Sequence, residues 1–206
     1  MGFEETKIGD FLEQVVRVTP TLPAGGTVGA LAGALAAALG EFVAALSLKK
    51  EAHLAFGQRL QALRDRLAVL RAQCLGTMDQ DVEAYEALMR ATRMPDATRA
   101  EKVRRGTALG EAWIGALSPP VSLAKCGLEL LRISLELVRK GYPVARADAG
   151  VAAELAHACA RAGLWIARAN MHEIGDSPAI ERQRDLLDVV RAETEYLFDR
   201  IKDEVG

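Results

Sequence analysis

The segment from Ala24 to Leu48 constrains the fold more than any other part of this chain. It consists mostly of alanine, glycine and leucine, Glu41 is its single charge, and Gly25, Gly29 and Gly33 are spaced four residues apart. A segment of this length can span a bilayer, and small residues four apart favour close helix packing. Alanine and glycine gain little on transfer to lipid, however, and no Trp or Tyr flanks the segment. We therefore predict a buried central helix and no membrane span.

The rest of the chain shows the 3.6-residue apolar period of helices, and no run alternates with period two. A first helix carries the apolar face of Ile8 to Val16. A turn rich in proline and glycine, from Thr19 to Gly26, ends it. Thr27 is expected to cap a helix that begins at Val28 and continues past Lys50.

Proline and glycine predict the boundaries of the middle helices. Gly76 indicates a break or kink, and Pro95 ends the helix that follows it. Thr98 and Glu101 have the spacing of a capping box at the start of the next helix. The run Ser118–Pro120 predicts the end of that helix, with Pro120 in the first turn of another.

The last third of the chain contains two more predicted helices. Gly141 suits the position after a helix end. Asp148 is placed to cap a helix of mostly small residues that runs to His172. Residues 175–178, which include glycine and proline, separate it from a final amphipathic helix.

These elements predict an all-α fold, a single-domain helical bundle over residues 1–206. Its centre is expected to hold the two helices of small residues, 28–50 and 149–172. Small side chains allow backbones to approach closely, and they also leave an alanine-lined surface. We therefore expect a homodimer.

Composition excludes several classes of partner. The chain has 26 Lys and Arg against 28 Asp and Glu, a formal net charge of −2, and only 5% aromatic residues, so no nucleic acid partner is expected.

The cysteines, Cys74, Cys126 and Cys159, are odd in number and lack metal-ligand spacing, so we expect reduced thiols, no metal and a cytoplasmic protein. Glu4 and Glu5 stand where a signal peptide needs basic residues.

A few polar positions are candidates for a site. The turn with Gly25, Gly26 and Thr27 enters a helix, where free amides attract an anion or a polar ligand group, although an ordinary helix start has the same composition. Asp79 and Asp81 point in different directions if both are helical, and acids also favour a first helical turn. Asn170 lies in an apolar stretch, so its amide needs partners from a neighbouring helix or from a ligand.

Four blocks, in order and in spacing, resemble the cyclodeaminase/cyclohydrolase family. This family comprises the C-terminal domain of formiminotransferase-cyclodeaminase and the stand-alone methenyltetrahydrofolate cyclohydrolases. The first block is the family's Pro-x-Pro-Gly-Gly-Gly-Ser turn with the Leu-Thr-x-Gly-Lys end of the next helix, matched by Thr21–Thr27 and Leu46–Lys50. The second is Asp-x-Asp-x-x-Ala-Tyr, matched by Asp79–Tyr85. The third and fourth are Ser-Asp-Ala-Gly-Val-Ala and Asn-x-x-x-Ile-x-Asp, matched by Ala147–Ala152 and Asn170–Asp176. The likeness runs from about Phe11 to the C-terminus.

The chain departs from the family pattern at several polar positions. Ala24 and Thr27 replace a glycine and the serine of the turn, Tyr142 and Ala147 replace an asparagine and a serine, and Trp165 replaces an asparagine. These replacements leave a second hypothesis open: a non-catalytic helical dimer that binds another small ligand or a protein partner. A further question is whether Trp165 fills the folate cavity.

The resemblance implies chemistry on the N5–N10 bridge of tetrahydrofolate, either cyclohydrolase or cyclodeaminase, with the folate as substrate and no separate cofactor. Asp148, then Asp81, would act as the catalytic carboxylate, and Lys50 would bind a glutamate tail or donate a proton. The implied substrate-binding residues are Gly25, Gly26, Thr27, Asp79, Tyr85, Asn170 and Trp165. The glycine turn and Asp148 are expected to meet in one cleft.

Overall fold

The computed structural model describes residues 2–17, 23–50 and 55–206. Within them the chain forms six α-helices and no strand: α1 (Ile8–Val16), α2 (Gly25–Leu48), α3 (Gly57–Thr92), α4 (Arg99–Lys140), α5 (Arg146–Ile174) and α6 (Pro178–Val205). Short 3-10 turns precede α1 and α5. The prediction of an all-α bundle is confirmed. The predicted break after α1 falls partly on residues 18–22, outside the described ranges.

Helix α2 lies at the centre of the bundle and packs against α3 and α5. Ideal Cβ atoms at Gly29 and Gly33 would lie 2.6 Å from Ala162 Cβ and from Cys159 Sγ, so only glycine permits this approach. Since residue numbers rise along α2 as they fall along α5, the two helices run antiparallel. The small residues of both helices therefore bring their backbones together, as predicted. By length and composition alone α2 also qualifies as a membrane span.

The start of α2 differs from the prediction. The helix begins at Gly25 rather than at Val28, its N-cap position is Ala24, and no side chain of that residue caps it. Thr27 is fully buried inside the first turn, so it is not the N-cap. Gly25 and Gly26 were predicted to lie outside the helix because glycine has low helix propensity. In the structure, contacts with α3 keep both residues in the first turn of α2.

Two predicted breaks are wrong. Helix α3 runs through Gly76 without interruption, and α4 runs through Pro119 and Pro120. Both prolines are buried, and an ideal Cβ at Gly163 of α5 would lie 2.5 Å from Pro120 O. The packing of α4 against α5 therefore outweighs the local cost of proline in a helix.

The start and end of α4 lie where the sequence predicts them, but the start of α5 does not. The capping box is present, since the Glu101 amide donates to Thr98 Oγ1 and the Thr98 amide to Glu101. Gly141 follows α4 as expected, but with a φ of −75° rather than a left-handed one. Asp148 is wrong as an N-cap: α5 begins at Arg146 after the N-cap position Ala145, and Asp148 lies in its first turn.

Candidate functional site

A cavity of about 740 Å³ opens at the end of the bundle where α2 begins. A volume in this range suits a small organic ligand. The cavity lies between the start of α2, the second half of α3, the middle of α4 and the last turns of α5. It is lined by Val15, Arg17, Pro23, Ala24, Gly25, Gly26, Val28, Asp81, Val82, Ala84, Tyr85, Leu88, Trp113, Ala116, Ile166 and Asn170.

The carboxylate of Asp81 lies directly against the backbone of Gly26. An ideal Cβ at Gly26 would lie only 2.6 Å from the Asp81 carboxyl carbon, so any other residue would displace this carboxylate. Thr27 Oγ1 donates a hydrogen bond of 2.8 Å to Asp81 Oδ2. Asp81 thus caps α2 from the neighbouring helix α3, which explains why the helix begins three residues earlier than predicted.

Burial raises the pKa of the Asp81 carboxyl above its ordinary value, while hydrogen bonds from the Thr27 hydroxyl and amide act in the opposite direction. A carboxylate held in this way binds a proton more readily at near-neutral pH than an exposed one. It is suited to accept a hydrogen bond, to stabilise a cation or to take part in proton transfer. The amides of Gly25 and Gly26 have no acceptor within the helix, because they precede its first hydrogen bond, Val28 N to Ala24 O.

Asn170 is oriented by a proline on the neighbouring helix. Its Nδ2 donates a hydrogen bond of 2.7 Å to Ala116 O on α4. In a regular helix that carbonyl accepts from the residue four positions later, but this residue is Pro120, which has no N–H. The amide group therefore satisfies a carbonyl that Pro120 leaves open. With Nδ2 occupied, Asn170 has its Oδ1 as an acceptor for a ligand in the cavity that it lines.

Tyr85 and Trp113 add aromatic surface to the cavity. Tyr85 was predicted as a binding residue, whereas Trp113 was not, because its position in α4 matched the apolar stripe of an ordinary core helix. Ile166, which lies against Gly25, and Arg17, at the end of α1, were missed as well. The sequence signal for Arg17 was its place just before the glycine turn.

Lys50 and Asp148 lie at the opposite end of the bundle. Lys50 Nζ lies 4.6 Å from the centre of the Tyr142 ring, and the Tyr142 amide donates to Ser47 Oγ near the end of α2. Asp148 and Asn170 belong to the two ends of the same helix, α5. At 1.5 Å per residue they are about 33 Å apart. The expectation that Asp148 and the glycine turn share a cleft is therefore wrong within one chain.

Three predicted binding residues, Asp79, Trp165 and Thr27, do not line the cavity. Asp79 Oδ1 accepts a hydrogen bond of 3.2 Å from the Phe3 amide and so holds the N-terminal segment against α3. The Trp165 side chain is 63% exposed, with the Arg161 guanidinium 4.8 Å from its ring centre. Trp165 does not plug the cavity. Thr27 contributes through Asp81 and not through direct exposure to the cavity.

Within residues 2–17, 23–50 and 55–206, no three His, Cys, Asp or Glu side chains are grouped to hold a metal ion. Cys74, Cys126 and Cys159 are free and buried. A hydrogen bond with Cys126 lowers the pKa of the Cys74 thiol, but a hydrogen bond with Cys159 and burial outweigh it and raise this pKa to about 12, so the sulfur is protonated at neutral pH.

The fold and the cavity define a class: an all-α bundle with a small-ligand site at the start of its central, glycine-rich helix. A family model described as formiminotransferase-cyclodeaminase matches residues 7–188. The chain belongs to this family, and the resemblance deduced from the sequence is confirmed.

Individual relatives are consistent with this assignment. A methenyltetrahydrofolate cyclohydrolase of Methylorubrum extorquens is 30% identical over 205 residues, which cover 100% of this chain and 98% of the relative. A formimidoyltransferase-cyclodeaminase of Sus scrofa is 26% identical over 184 residues, 87% of this chain but 34% of the larger protein. The solved structure of formiminotetrahydrofolate cyclodeaminase from Thermotoga maritima superposes with a TM-score of 0.88 at 25% identity, covering 98% of this chain and 96% of that one.

Proposed function

We propose that this protein is a folate one-carbon enzyme, and that its reaction is the hydrolysis of 5,10-methenyltetrahydrofolate to 10-formyltetrahydrofolate. The observation that carries this proposal is the match with a cyclohydrolase over the whole length of both chains. The related cyclodeaminase reaction is the second candidate, because a cyclodeaminase has nearly the same backbone.

The chemistry of the cavity fits a reduced pterin. The edge of a pterin presents N–H donors, and the cavity offers the Asp81 carboxylate and Asn170 Oδ1 as acceptors. Tyr85 and Trp113 can contact the flat ring and the aminobenzoyl group. The methenyl bridge is cationic, and Asp81 lies where it can stabilise that charge.

Hydrolysis adds one water to the methenyl carbon. The water oxygen forms a bond to that carbon and loses one proton, which gives a neutral carbinolamine. The bond from this carbon to N5 then breaks, N5 retains the electron pair and takes up a proton, and the hydroxyl loses its remaining proton to become the formyl C=O, so that one proton is released overall. A carboxylate would orient the water and accept its proton. Both Asp81 and Asp148 are candidates for this role. In the cyclodeaminase reaction N10 would attack the formimino carbon and the same groups would protonate the departing ammonia.

The two sets of predicted residues can form one site only if two copies pair. The outer side of α2 carries apolar side chains seven residues apart, Val28, Leu35 and Phe42, and the last two are 49% and 51% exposed. We propose a two-fold dimer in which α2 pairs antiparallel with its counterpart. This arrangement would place Lys50, Tyr142 and Asp148 of one subunit beside the glycine turn of the other.

The non-catalytic alternative has less support. Of the replaced residues, Trp165 leaves the cavity open. Tyr142 places its ring beside Lys50 instead of displacing it. Asp81 is bonded to Thr27 and lies against Gly26, and Asn170 lines the same cavity. These contacts preserve a small-ligand site, which gives the partner-binding form of the alternative less support.

The proposal is tested by following the near-ultraviolet absorbance of methenyltetrahydrofolate with purified protein. We expect faster loss than in buffer, and Asp148→Asn should abolish it. Release of ammonia from 5-formimidoyltetrahydrofolate, without methenyl hydrolysis, would favour the cyclodeaminase reaction. Failure of both reactions would support the non-catalytic alternative.

Sharing of the site is tested by mixing inactive variants. Asp81→Asn and Asp148→Asn subunits are denatured together and refolded. Random pairing makes half of the dimers mixed, and each mixed dimer regains one intact site, so about a quarter of wild-type activity should return. If each site lies within one subunit, no activity returns. Sedimentation of the unmixed proteins provides the control for dimer formation.

A further inference from the structure

The cavity contains one cationic side chain among the described residues that line it, Arg17. Its side chain is exposed at the cavity, at the C-terminal end of α1. Other arginines of the bundle are bound to carboxylates; these include Arg59, Arg66, Arg71, Arg132, Arg139, Arg161, Arg168 and Arg184. Arg17 makes no ion pair with any described residue, and residues 18–22 contain no acid. No side chain in the described part of the chain therefore neutralises this charge at the cavity.

The N-terminal segment holds Arg17 in place. Phe11 of α1 is buried beside Met78 and Leu123. The ring of Phe3 contacts that of Phe11 edge to face, with centroids 5.7 Å apart. The Phe3 amide donates to Asp79, two residues before Asp81 on α3. One helix thus carries Asp81 and also anchors the segment that presents Arg17.

Charges of opposite sign therefore line the same cavity, with Asp81 half-buried at the start of α2 and Arg17 exposed. A folate has a matching distribution, because its one-carbon bridge is cationic in the methenyl form and its glutamate tail carries carboxylates. A guanidinium binds a carboxylate through two parallel hydrogen bonds. An exposed arginine suits the tail, which extends away from the ring toward solvent.

We propose that Arg17 binds a carboxylate of the glutamate tail and so determines the preference of the site for folates over tail-less pteroates. This inference rests on the proposed function. The sequence left two roles open for Lys50, binding the glutamate tail or donating a proton. If Arg17 binds the tail, Lys50, which lies at the other end of the bundle within one chain, takes part in proton transfer or in contacts near the reacting bridge.

The test compares binding of tetrahydrofolate and the primary amide of tetrahydropteroic acid, which keeps the benzamide but lacks both glutamate carboxylates, by calorimetry under anaerobic conditions. We expect the wild-type protein to bind tetrahydrofolate about 10- to 100-fold more tightly, the range for a charge-assisted hydrogen bond. Arg17→Ala should remove this difference by weakening tetrahydrofolate alone, and Arg17→Lys should restore part of it. Arg64→Ala, an exposed arginine about 25 Å from Asp81 along α3, is the matched control and should change neither affinity.

Kinetics give an independent measurement. Arg17→Ala should raise KM for methenyltetrahydrofolate and leave kcat nearly unchanged, since the tail contact is the same in the ground state and the transition state. Equal wild-type affinity for the two ligands, or loss of the difference in Lys50→Ala but not in Arg17→Ala, would overturn the role of Arg17 while the proposed function stands. A wild-type protein that binds neither ligand would overturn both.

Discussion

The two ends of α2 each use a fully buried hydroxyl to hold a neighbouring segment, but in opposite ways. At the N-terminal end, Thr27 Oγ1 donates to the carboxylate of Asp81 on α3. At the C-terminal end, Ser47 Oγ donates to Val43 O and accepts from the Tyr142 amide. The first hydroxyl therefore positions a chemically active side chain, and the second positions the backbone that leads into α5.

The two ends of α2 therefore carry different residues of the predicted site. The N-terminal end holds a cavity with Asp81 and Asn170 already oriented by protein contacts. The C-terminal end carries Lys50 just after α2 and Asp148 in the first turn of α5. The hydrogen bond from the Tyr142 amide to Ser47 Oγ holds these two segments together. Each end thus has part of the predicted site, and each is expected to depend on its own buried contacts.

The largest effect is expected for Gly26→Ala at the N-terminal end. The new methyl group would overlap the Asp81 carboxylate and displace it. A displacement of about 1 Å can lower the turnover rate by about 100-fold, and overpacking should cost about 1–3 kcal/mol of stability. Activity and urea unfolding measure the two effects.

Gly76→Ala is the control for this substitution. Gly76 is also helical, but an added Cβ meets nothing within 4 Å. It should gain up to about 1 kcal/mol of stability from the higher helix propensity of alanine. Equal losses in the two variants would contradict the role of the Gly26–Asp81 contact.

Ser47→Ala should destabilise the C-terminal end by about 1–3 kcal/mol, because it removes the buried hydroxyl that accepts the hydrogen bond of the Tyr142 amide. Ser47→Thr, which keeps the hydroxyl, tests whether the hydrogen bond or the packing matters. Urea unfolding gives the free energies. If the two ends are independent, Ser47→Ala should not change the affinity of the cavity at the start of α2 for tetrahydropteroate. A large change in that affinity would show that the two ends are coupled.

Pro120→Ala should act on the cavity without damaging the helix. Alanine restores the N–H that bonds to Ala116 O, so it competes with Asn170 Nδ2 and frees the amide to rotate. We expect about a tenfold weaker affinity for the pterin, with stability equal to or above that of the wild type in urea unfolding. Pro119→Ala restores a bond to a different carbonyl and is the matched control; an identical loss of affinity there would refute the explanation.

The smallest effect concerns the pH dependence of stability at Asp81. Its pKa is raised on folding, so the stabilisation present below its unfolded value is lost as pH rises through the folded value. Asp81→Asn does not titrate, and the stability of the wild type relative to this variant should therefore fall as pH rises from about 4, the ordinary pKa of an unfolded aspartate. Urea unfolding at each pH measures the difference.

Glu101 provides a control of opposite sign. Hydrogen bonds from Thr98 lower the pKa of its carboxyl. Its stabilisation is therefore present above the unfolded value and is lost as pH falls through the folded one. Glu101→Gln and Asp81→Asn should show opposite pH trends relative to the wild type, and parallel trends would contradict the assignment of burial as the cause at Asp81.

Local signals predicted some helix ends but not others, since neither Thr27 nor Asp148 is an N-cap. The capping box of Thr98 and Glu101 joins residues three apart, and it is present as predicted. Family motifs likewise led to Asp81, Tyr85, Asn170 and the glycine turn, all of which belong to the cavity or support it. Trp113 and Arg17 carried no comparable signal, since their local patterns match an ordinary core stripe and a helix end.

The sequence by itself determined that the chain is helical, that α2 and α5 pack closely, and that the chain resembles the formiminotransferase-cyclodeaminase family, because periodicity, residue size and short motifs are local properties. Only the tertiary structure decided that Asp81 caps α2, that α4 continues through Pro119 and Pro120, and that Asp148 lies at the far end from Asn170. Each of these depends on a contact or a distance between residues remote in sequence. Packing between helices can outweigh the preference of any single residue, and for that reason local rules did not predict them.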